Sequence, residues 1–447
     1  MVTNDNNKYD ITVFGATGLT GSHIVEHVIE LSASQPEMYL HGFCWAIAGR
    51  NEQQMQQLVQ KYMTKYPSAT IPEPAILVAN VMRRDTLDAM AKQSKIIINA
   101  VGPFRFMGEY VVRSCVENSC DYVDVTGEPE FVERMQRTYH DQARKNNTTI
   151  VHCCGFDSVP ADIGSLYVKE LYQEKGWSPV HIEMFLRIHY GEAGIHGGFA
   201  TYESAVHGVG SAELLREIRK VSGLAKLPRP GPQLKLKKGV GYNHDMQMYT
   251  IPFPGADTSV VRLSQQLLVS GQAEPPSNSS SNPSQNKNVM PPTVQFAAYV
   301  LLPTFWIMIQ VCFYGLLFSF LATTPWGRNL LLKHPEFFSK GIFSKQNPTD
   351  EQLRQTNFEI TLITKGYQTK TIPVDNHEPD CHVKVMIRGP EPGYIGTPRM
   401  VLQCALALLH GKKRGQVPVG VLTPSAAFWN TDLLKRLPSV DITFEEV

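Results

Sequence analysis

Apolar positions in this chain form short β-branched runs separated by stretches of helical period. In the first third the runs are 10–14, 43–48, 75–81, 96–101, 121–125 and 149–154. Between them, 18–31, 51–65, 85–93, 108–118 and 129–146 read as helices with one apolar face. Strands that alternate with helices in this way predict a parallel, doubly wound sheet with right-handed crossovers. Beyond residue 175 the pattern changes. Residues 180–188 and 381–388 alternate with period two, which predicts strands of a sheet with one solvated face. Residues 196–207 are a glycine entry into a helix, and 397–409 form an Ala- and Leu-rich helix with Pro398 in its tolerant first turn.

The first strand runs into Gly15, followed at three-residue steps by Gly18 and Gly21. A strand, a tight glycine turn and a helix start form the geometry that seats a dinucleotide pyrophosphate. Gly15 permits the turn, Gly18 lets backbone approach phosphate, and Gly21 lets the helix pack closely on the strand. Thr17, Leu19 and Thr20 complete the expected phosphate contacts. The spacing is GxxGxxG rather than GxGxxG, so strand and helix context carry the assignment. At the end of the second strand, where an NAD site places Asp or Glu, the chain reads Gly49-Arg50-Asn51. An Arg suits a ribose 2′-phosphate, so the expected cofactor is NADP(H); the plain alternative for Arg50 is a solvated loop charge. The fourth strand ends in Asn99-Ala100-Val101-Gly102-Pro103-Phe104, and ligands lie outside the carboxyl ends of such strands. Asn99, Val101, Gly102 and Pro103 are therefore expected to border the nicotinamide and Asn80 the adenine, with turn or helix capping as the alternative for the polar pair.

Residues 271–292 are rich in Ser, Asn and Pro and predict a flexible loop. From Asn288 to Gly327 the chain holds no Asp, Glu, Lys or Arg, and its apolar centre runs from Phe296 to Ala322. Such a run is a membrane-segment candidate. The aromatic and basic residues that follow (Trp326, Arg328, Lys333, Phe337, Phe338, Lys340, Phe343, Lys345) suit an interface. Three readings apply: a hairpin anchor turning near Pro303 or Gly315, a buried helix or homodimer interface, and a single span. The hairpin keeps both ends on one side and is the reading adopted.

A net charge of +1 gives no field for nucleic acid, so none is expected as a partner. Eight scattered cysteines without a CxxC predict packed thiols in a reducing compartment and no metal site. The polar N-terminal residues lack an apolar secretory stretch.

Six segments resemble the saccharopine dehydrogenase-like oxidoreductase family: 13–21, 46–50, 99–104, 154–162 (Cys-Gly-Phe-Asp-Ser-Val-Pro-Ala-Asp), 389–394 (Gly-Pro-Glu-Pro-Gly-Tyr) and 420–428. The resemblance implies a Rossmann domain, an inserted second α/β domain with a mixed sheet, and a C-terminal segment returning to the first. Its relatives include enzymes of lysine metabolism and trans-acting enoyl reductases of lipid and glycolipid synthesis. The expected division is 1–175 (NADP-binding), 176–270 and 328–392 (second domain), 271–292 (loop), 293–327 (membrane-associated hairpin) and 393–447 (return). No set of Arg and carboxylate positions for a zwitterionic amino acid stands out. No Tyr-x-x-x-Lys occurs, which counts against the short-chain dehydrogenase mechanism. Candidate proton donors are Tyr202, His196, His207 and Asp157, each with packing, surface or turn roles as the plain alternative.

The resulting expectation is an NADP(H)-dependent oxidoreductase reducing a hydrophobic or lipid substrate at a lipid-droplet or endoplasmic-reticulum surface, cytosolic side. A mitochondrial location is the alternative. The rival functions are an inactive nucleotide-binding scaffold on lipid and a saccharopine-type dehydrogenase.

Overall fold

The computed structural model describes residues 8–276, 290–373 and 377–447. Most of the loop expected over 271–292, namely residues 277–289, lies outside them. The first half alternates β1 (Tyr9–Phe14), α1 (Leu19–Ser34), β2 (Trp45–Gly49), α2 (Glu52–Lys65), β3 (Ala75–Val78), α3 (Arg84–Gln93), β4 (Ser94–Asn99), α4 (Phe104–Glu117), β5 (Asp121–Asp124), α5 (Pro129–Lys145), β6 (Thr149–Val151) and α6 (Val159–Glu174). Next come β7 (Ser178–His189), β8 (Gly197–Gly198), α7 (Phe199–Val209), α8 (Ala212–Lys220), β9 (Gly241–Asn243), β10 (Met248–Pro252) and α9 (Asp257–Val269). They are followed by β11 (Gln295–Leu302), α10 (Phe305–Ala322), α11 (Pro325–Lys333), α12 (Pro335–Phe338), β12 (Phe343–Ser344), α13 (Asp350–Gln355), β13 (Asn357–Tyr367) and β14 (Cys381–Pro390). The last elements are α14 (Thr397–Lys413), β15 (Gly420–Leu422), α15 (Pro424–Phe428), α16 (Leu433–Arg436) and β16 (Thr443–Glu446).

The first sheet is wholly parallel, in the order β15-β6-β5-β4-β1-β2-β3. Strand order reverses between β1 and β4, which opens a crevice at their carboxyl ends. Helices cover both faces of such a sheet, so its strands are continuous apolar runs, and Ile11, Val13, Ile97 and Ile98 are fully buried. α14 lies against α1, β4 and β5, and each residue from Met400 to Gly411 is buried. That enclosure accounts for its Ala- and Leu-rich sequence.

The second sheet is mixed, in the order β16-β14-β13-β7-β11-β10-β9, with β7 and β11 the parallel pair. α6 joins the two sheets. It follows β6 of the first, and a β-carbon on its Gly164 would press on Ile387 and Leu362 of the second. One continuous hydrophobic core therefore runs through both.

The structure corrects two expectations. The apolar run over 293–327 is not a hairpin. It breaks at Pro303, but its first limb is β11, buried between β7 and β10, where alternate side chains meet the core. Its second limb is α10, a single helix unbroken at Gly315 and begun by Thr304, whose side chain accepts from Ile307 N. The 393–447 segment is also shared between the sheets: β15 closes the edge of the first, and β16 pairs with β14 in the second.

Leu406 is fully enclosed in α14. Leu406→Ala is expected to lower the unfolding free energy by about 2–5 kcal/mol, read from urea titrations.

Candidate functional site

Gly15 leaves β1 at φ +86°, a conformation that L side chains rarely adopt. Its N–H and that of Ala16 donate to Ala48 O at 2.9 and 3.2 Å, and Gly18 N donates to Gly15 O at 2.9 Å. A β-carbon on Gly21 would fall inside the Gly15 carbonyl, so α1 packs directly on the turn. One on Gly15 would sit 2.8 Å from Val101 Cγ2, which brings the loop after β4 against the same turn. α1 has no side-chain cap and no acidic residue in its first turn. Its uncapped amides and positive dipole end suit an anion, with Thr17 and Gly18 exposed and Leu19 and Thr20 half-buried beside them.

Arg50 directly follows β2 on the same edge of the sheet, since Ala48 pairs with Phe14. It is exposed and makes no ion pair or hydrogen bond among the described residues. Asn51 caps α2 by accepting from Gln54 N at 3.1 Å. These residues fit a nicotinamide dinucleotide: glycines stand at the close approaches of the turn, and a guanidinium unpaired among the described residues stands at the tip of β2.

The two asparagines have other work. Asn80 Oδ1 accepts Met82 N at 3.0 Å, and Asn80 N donates to Thr86 Oγ1 at 3.0 Å, closing the turn after β3. Asn99 is fully buried with its side chain turned into the sheet, which corrects the expectation of a ligand contact. Its Nδ2 donates to Tyr122 OH at 3.0 Å, and its Oδ1 accepts Val101 N at 3.0 Å. Tyr122 OH donates to Asp124 Oδ2 at 2.9 Å, and that oxygen lies 2.7 Å from His152 Nδ1. Asn99 thus fixes the Val101–Gly102–Pro103 backbone from beneath.

Glu128, in the loop after β5, gathers the neighbouring elements. Its carboxylate accepts Phe104 N at 3.1 Å, Arg105 N at 3.2 Å, Arg105 Nε at 2.9 Å and Ser204 Oγ at 3.0 Å. Arg105 donates onward to Ser211 Oγ at 2.5 Å and to His207 O. The N-terminus of α4 is thereby capped and α7 pinned over it. At the start of α7, a β-carbon on Gly198 would overlap Tyr394 OH and lie 3.5 Å from Leu19 Cδ2. Tyr394 belongs to the Gly-Pro-Glu-Pro-Gly-Tyr segment, whose turn is held by Glu391 accepting Gly393 N at 2.8 Å, Tyr394 N at 2.5 Å and Ile395 N at 3.2 Å. Burial pushes the Glu391 carboxyl up despite these donors. Thr397 Oγ1 accepts Phe156 N at 3.0 Å, which docks the loop before α6. Segments distant in sequence thus form one network at the carboxyl edge of the first sheet.

The four proton-donor candidates are not gathered at one point. Tyr202 is buried among Phe318 and Phe343 with no partner for its hydroxyl among the described residues, and burial pushes its phenol up to about 12. It is a packing residue beneath α10. His196 Nε2 is buried without a hydrogen-bond partner among the described residues. His207 packs its ring edge-on to Phe106 at 5.2 Å, and desolvation lowers its imidazole. Asp157 is different. Its carboxyl is enclosed by Gly127 and Gly255, where a β-carbon on Gly255 would lie 2.7 Å from Oδ1, and it accepts the Ala256 amide. Burial pushes it up to about 7. Beside it, Asp257 Oδ1 is buried and has no hydrogen-bond partner among the described residues, and desolvation, then the Asp157 charge, raise that carboxyl well above the usual range.

Sequence reasoning missed Asp257, Arg105 and Glu128. Arg105 follows directly on the Asn99–Phe104 segment, and Glu128 follows a strand end just as that segment does. Asp257 lies in no comparable pattern.

The parallel sheet, the glycine turn and the uncapped helix define a nicotinamide dinucleotide-binding oxidoreductase fold. A family model described as "Saccharopine dehydrogenase NADP binding domain" matches residues 11–151. A human protein named "Saccharopine dehydrogenase-like oxidoreductase" is 36% identical, covering 99% of this chain and 98% of its own. A Caenorhabditis elegans protein named "Lipid droplet localized protein" is 30% identical, covering 98% of each. Among solved structures, apo saccharopine dehydrogenase (L-Glu forming) from Saccharomyces cerevisiae aligns with a TM-score of 0.53 at 11% identity, over 98% of this chain and 99% of that one, a likeness of fold. The chain belongs to the saccharopine dehydrogenase-like oxidoreductases.

Gly21→Val is expected to open the turn and reduce dinucleotide binding by more than about tenfold in a fluorescence titration. Gly208→Ala, where nothing lies within 4 Å, should leave binding unchanged.

Proposed function

We propose that this protein is an NADP(H)-dependent oxidoreductase that reduces a carbonyl, imine or activated double bond in a hydrophobic substrate drawn from a lipid surface. The observation that carries the reading is the uncapped, glycine-lined start of α1 with Arg50, unpaired among the described residues, beside it. Gly15, Thr17, Gly18, Leu19, Thr20 and Gly21 would hold the pyrophosphate and Arg50 the 2′-phosphate. Val101, Gly102 and Pro103 would border the reacting ring, and Asn99 positions them. When bound, the cofactor supplies a hydride. Asp157 is the favoured proton source. Its carboxyl gives up its proton to the substrate atom that takes the bonding pair, becomes a carboxylate, and is reprotonated from water. The exposed apolar face of α10 and the name of the worm relative support a lipid substrate and a lipid-droplet location; the cytosolic side is part of the same proposal.

Arg50→Ala is expected to weaken NADPH binding by about tenfold or more while leaving NADH binding nearly unchanged, read by nucleotide fluorescence. Failure of folded wild-type protein to bind either nucleotide would remove the oxidoreductase reading and leave a lipid-surface scaffold.

The pH dependence of folding provides a test of Asp157 that needs no substrate. The folded protein holds this proton up to about pH 7, whereas an unfolded Asp releases it near pH 3.9. Folded protein therefore binds more protons across that window, and the carboxyl's contribution is complete below it and lost as pH rises through about 7. Asp157→Asn should flatten this part of the stability profile. With a substrate in hand, the variant should also lose the decline in turnover above neutral pH.

A further inference from the structure

We propose that α10 docks the protein on a single lipid leaflet by lying flat in its surface, with one stripe of side chains immersed and no segment crossing. The placement rests on the structure, and only its role in substrate delivery rests on the oxidoreductase reading. The helix has 18 residues, long enough at about 27 Å to reach across a hydrocarbon core. Its attachments forbid that path. At its start, β11 is paired on both sides, the Phe305 ring lies 5.9 Å from that of Tyr249, and Met308 is buried. Further along, Gln310 accepts Lys340 Nζ at 2.7 Å. At its end, Phe318 meets Tyr202, Leu321 and Ala322 are buried, and α11 packs so closely that a β-carbon on Gly327 would enter the Leu321 backbone. A helix held to the body from first turn to last has only one side to offer.

That side is apolar along its length. Trp306, Ile309, Phe313, Leu316 and Phe320 follow at alternating three- and four-residue steps, the spacing of one helical face. They are 71, 39, 62, 74 and 75% exposed. Trp326 and Phe337, on the helices that follow, are as exposed. The surrounding charge selects the occupant. Between Phe305 and Lys345 the chain carries Arg328, Lys333, Lys340 and Lys345 against Glu336 alone. Apolar side chains flanked by lysines match an acyl layer under anionic headgroups, in the manner of interfacial helices. Beneath α10 lies α7, and Gly198, the residue just before it, lies against Tyr394 and Leu19 at the glycine turn. The leaflet thus lies one helix away from the proposed cofactor site.

The test is flotation of the full chain with phosphatidylcholine vesicles, with and without phosphatidylserine. Wild type is expected to float, more so with phosphatidylserine, and Phe313→Ser/Leu316→Ser/Phe320→Ser to stay in solution with unchanged NADPH binding. Nitroxide labels on Ile309→Cys, Leu316→Cys and Phe320→Cys, in a Cys44→Ser/Cys312→Ser background, should report equal, shallow depths by power saturation. Labels at steadily increasing depth would overturn the flat placement in favour of insertion end-on. Undiminished flotation of the triple variant would overturn the assignment of this face. A wild-type dimer that fails to float, and that the triple variant dissociates, would make a second copy the occupant. NADPH binding is scored separately, so loss of the lipid contact and loss of the cofactor site are told apart.

Discussion

The Glu128 carboxylate is the point on which the arrangement turns. It satisfies the amides at the start of α4 and pairs with Arg105, and the two side chains are 3 and 8% exposed. Through Ser204, and through Arg105 reaching His207 and Ser211, it fixes α7 above the dinucleotide-binding edge. A charge pair so enclosed gains little net stability over an apolar substitute, but losing one partner leaves the other buried and costs about 3–5 kcal/mol. Its value lies in specificity, because no apolar contact would set the orientation of α7 so narrowly. The start of α7 on Tyr394, and the α10 layer above it, follow from that orientation.

Elements set by local periodicity were legible in the sequence; those set by long-range satisfaction of polar groups were not. The six leading strands and the helices between them fall within a few residues of their apolar runs, because a two-faced parallel sheet demands continuous apolar strands. Gly15 and Gly21 announced themselves because the turn excludes a β-carbon at both. Asn99 shows the limit. Its position at a strand end pointed toward ligand, yet the Val101 amide two residues on and the Tyr122 hydroxyl claim its side chain, and the Tyr122 partner does not follow from residues near 99. Asp257 gave no signal either, since its significance comes from Asp157, far away in the chain.

The run from Phe296 to Ala322 shows composition failing for a physical reason. Hydropathy counts apolar residues without asking what faces them. β11 and α10 are alike in composition, but β11 is bonded by backbone on both edges and lies within the protein, whereas α10 satisfies its backbone internally and leaves a face free. Pro303 separates the two by denying a donor where the strand would otherwise continue.

The division of the last segment between β15 and β16 has a consequence for the growing chain. β6 and β14 each present an unpaired backbone edge until residues beyond Gly420 have been made, because the strands that cover them come so late. Open edges of this kind are templates for pairing with other chains. A ribosome-bound intermediate of this protein therefore carries two adhesive borders, besides an apolar helix already exposed. Cells making it must shield both borders or finish the chain quickly.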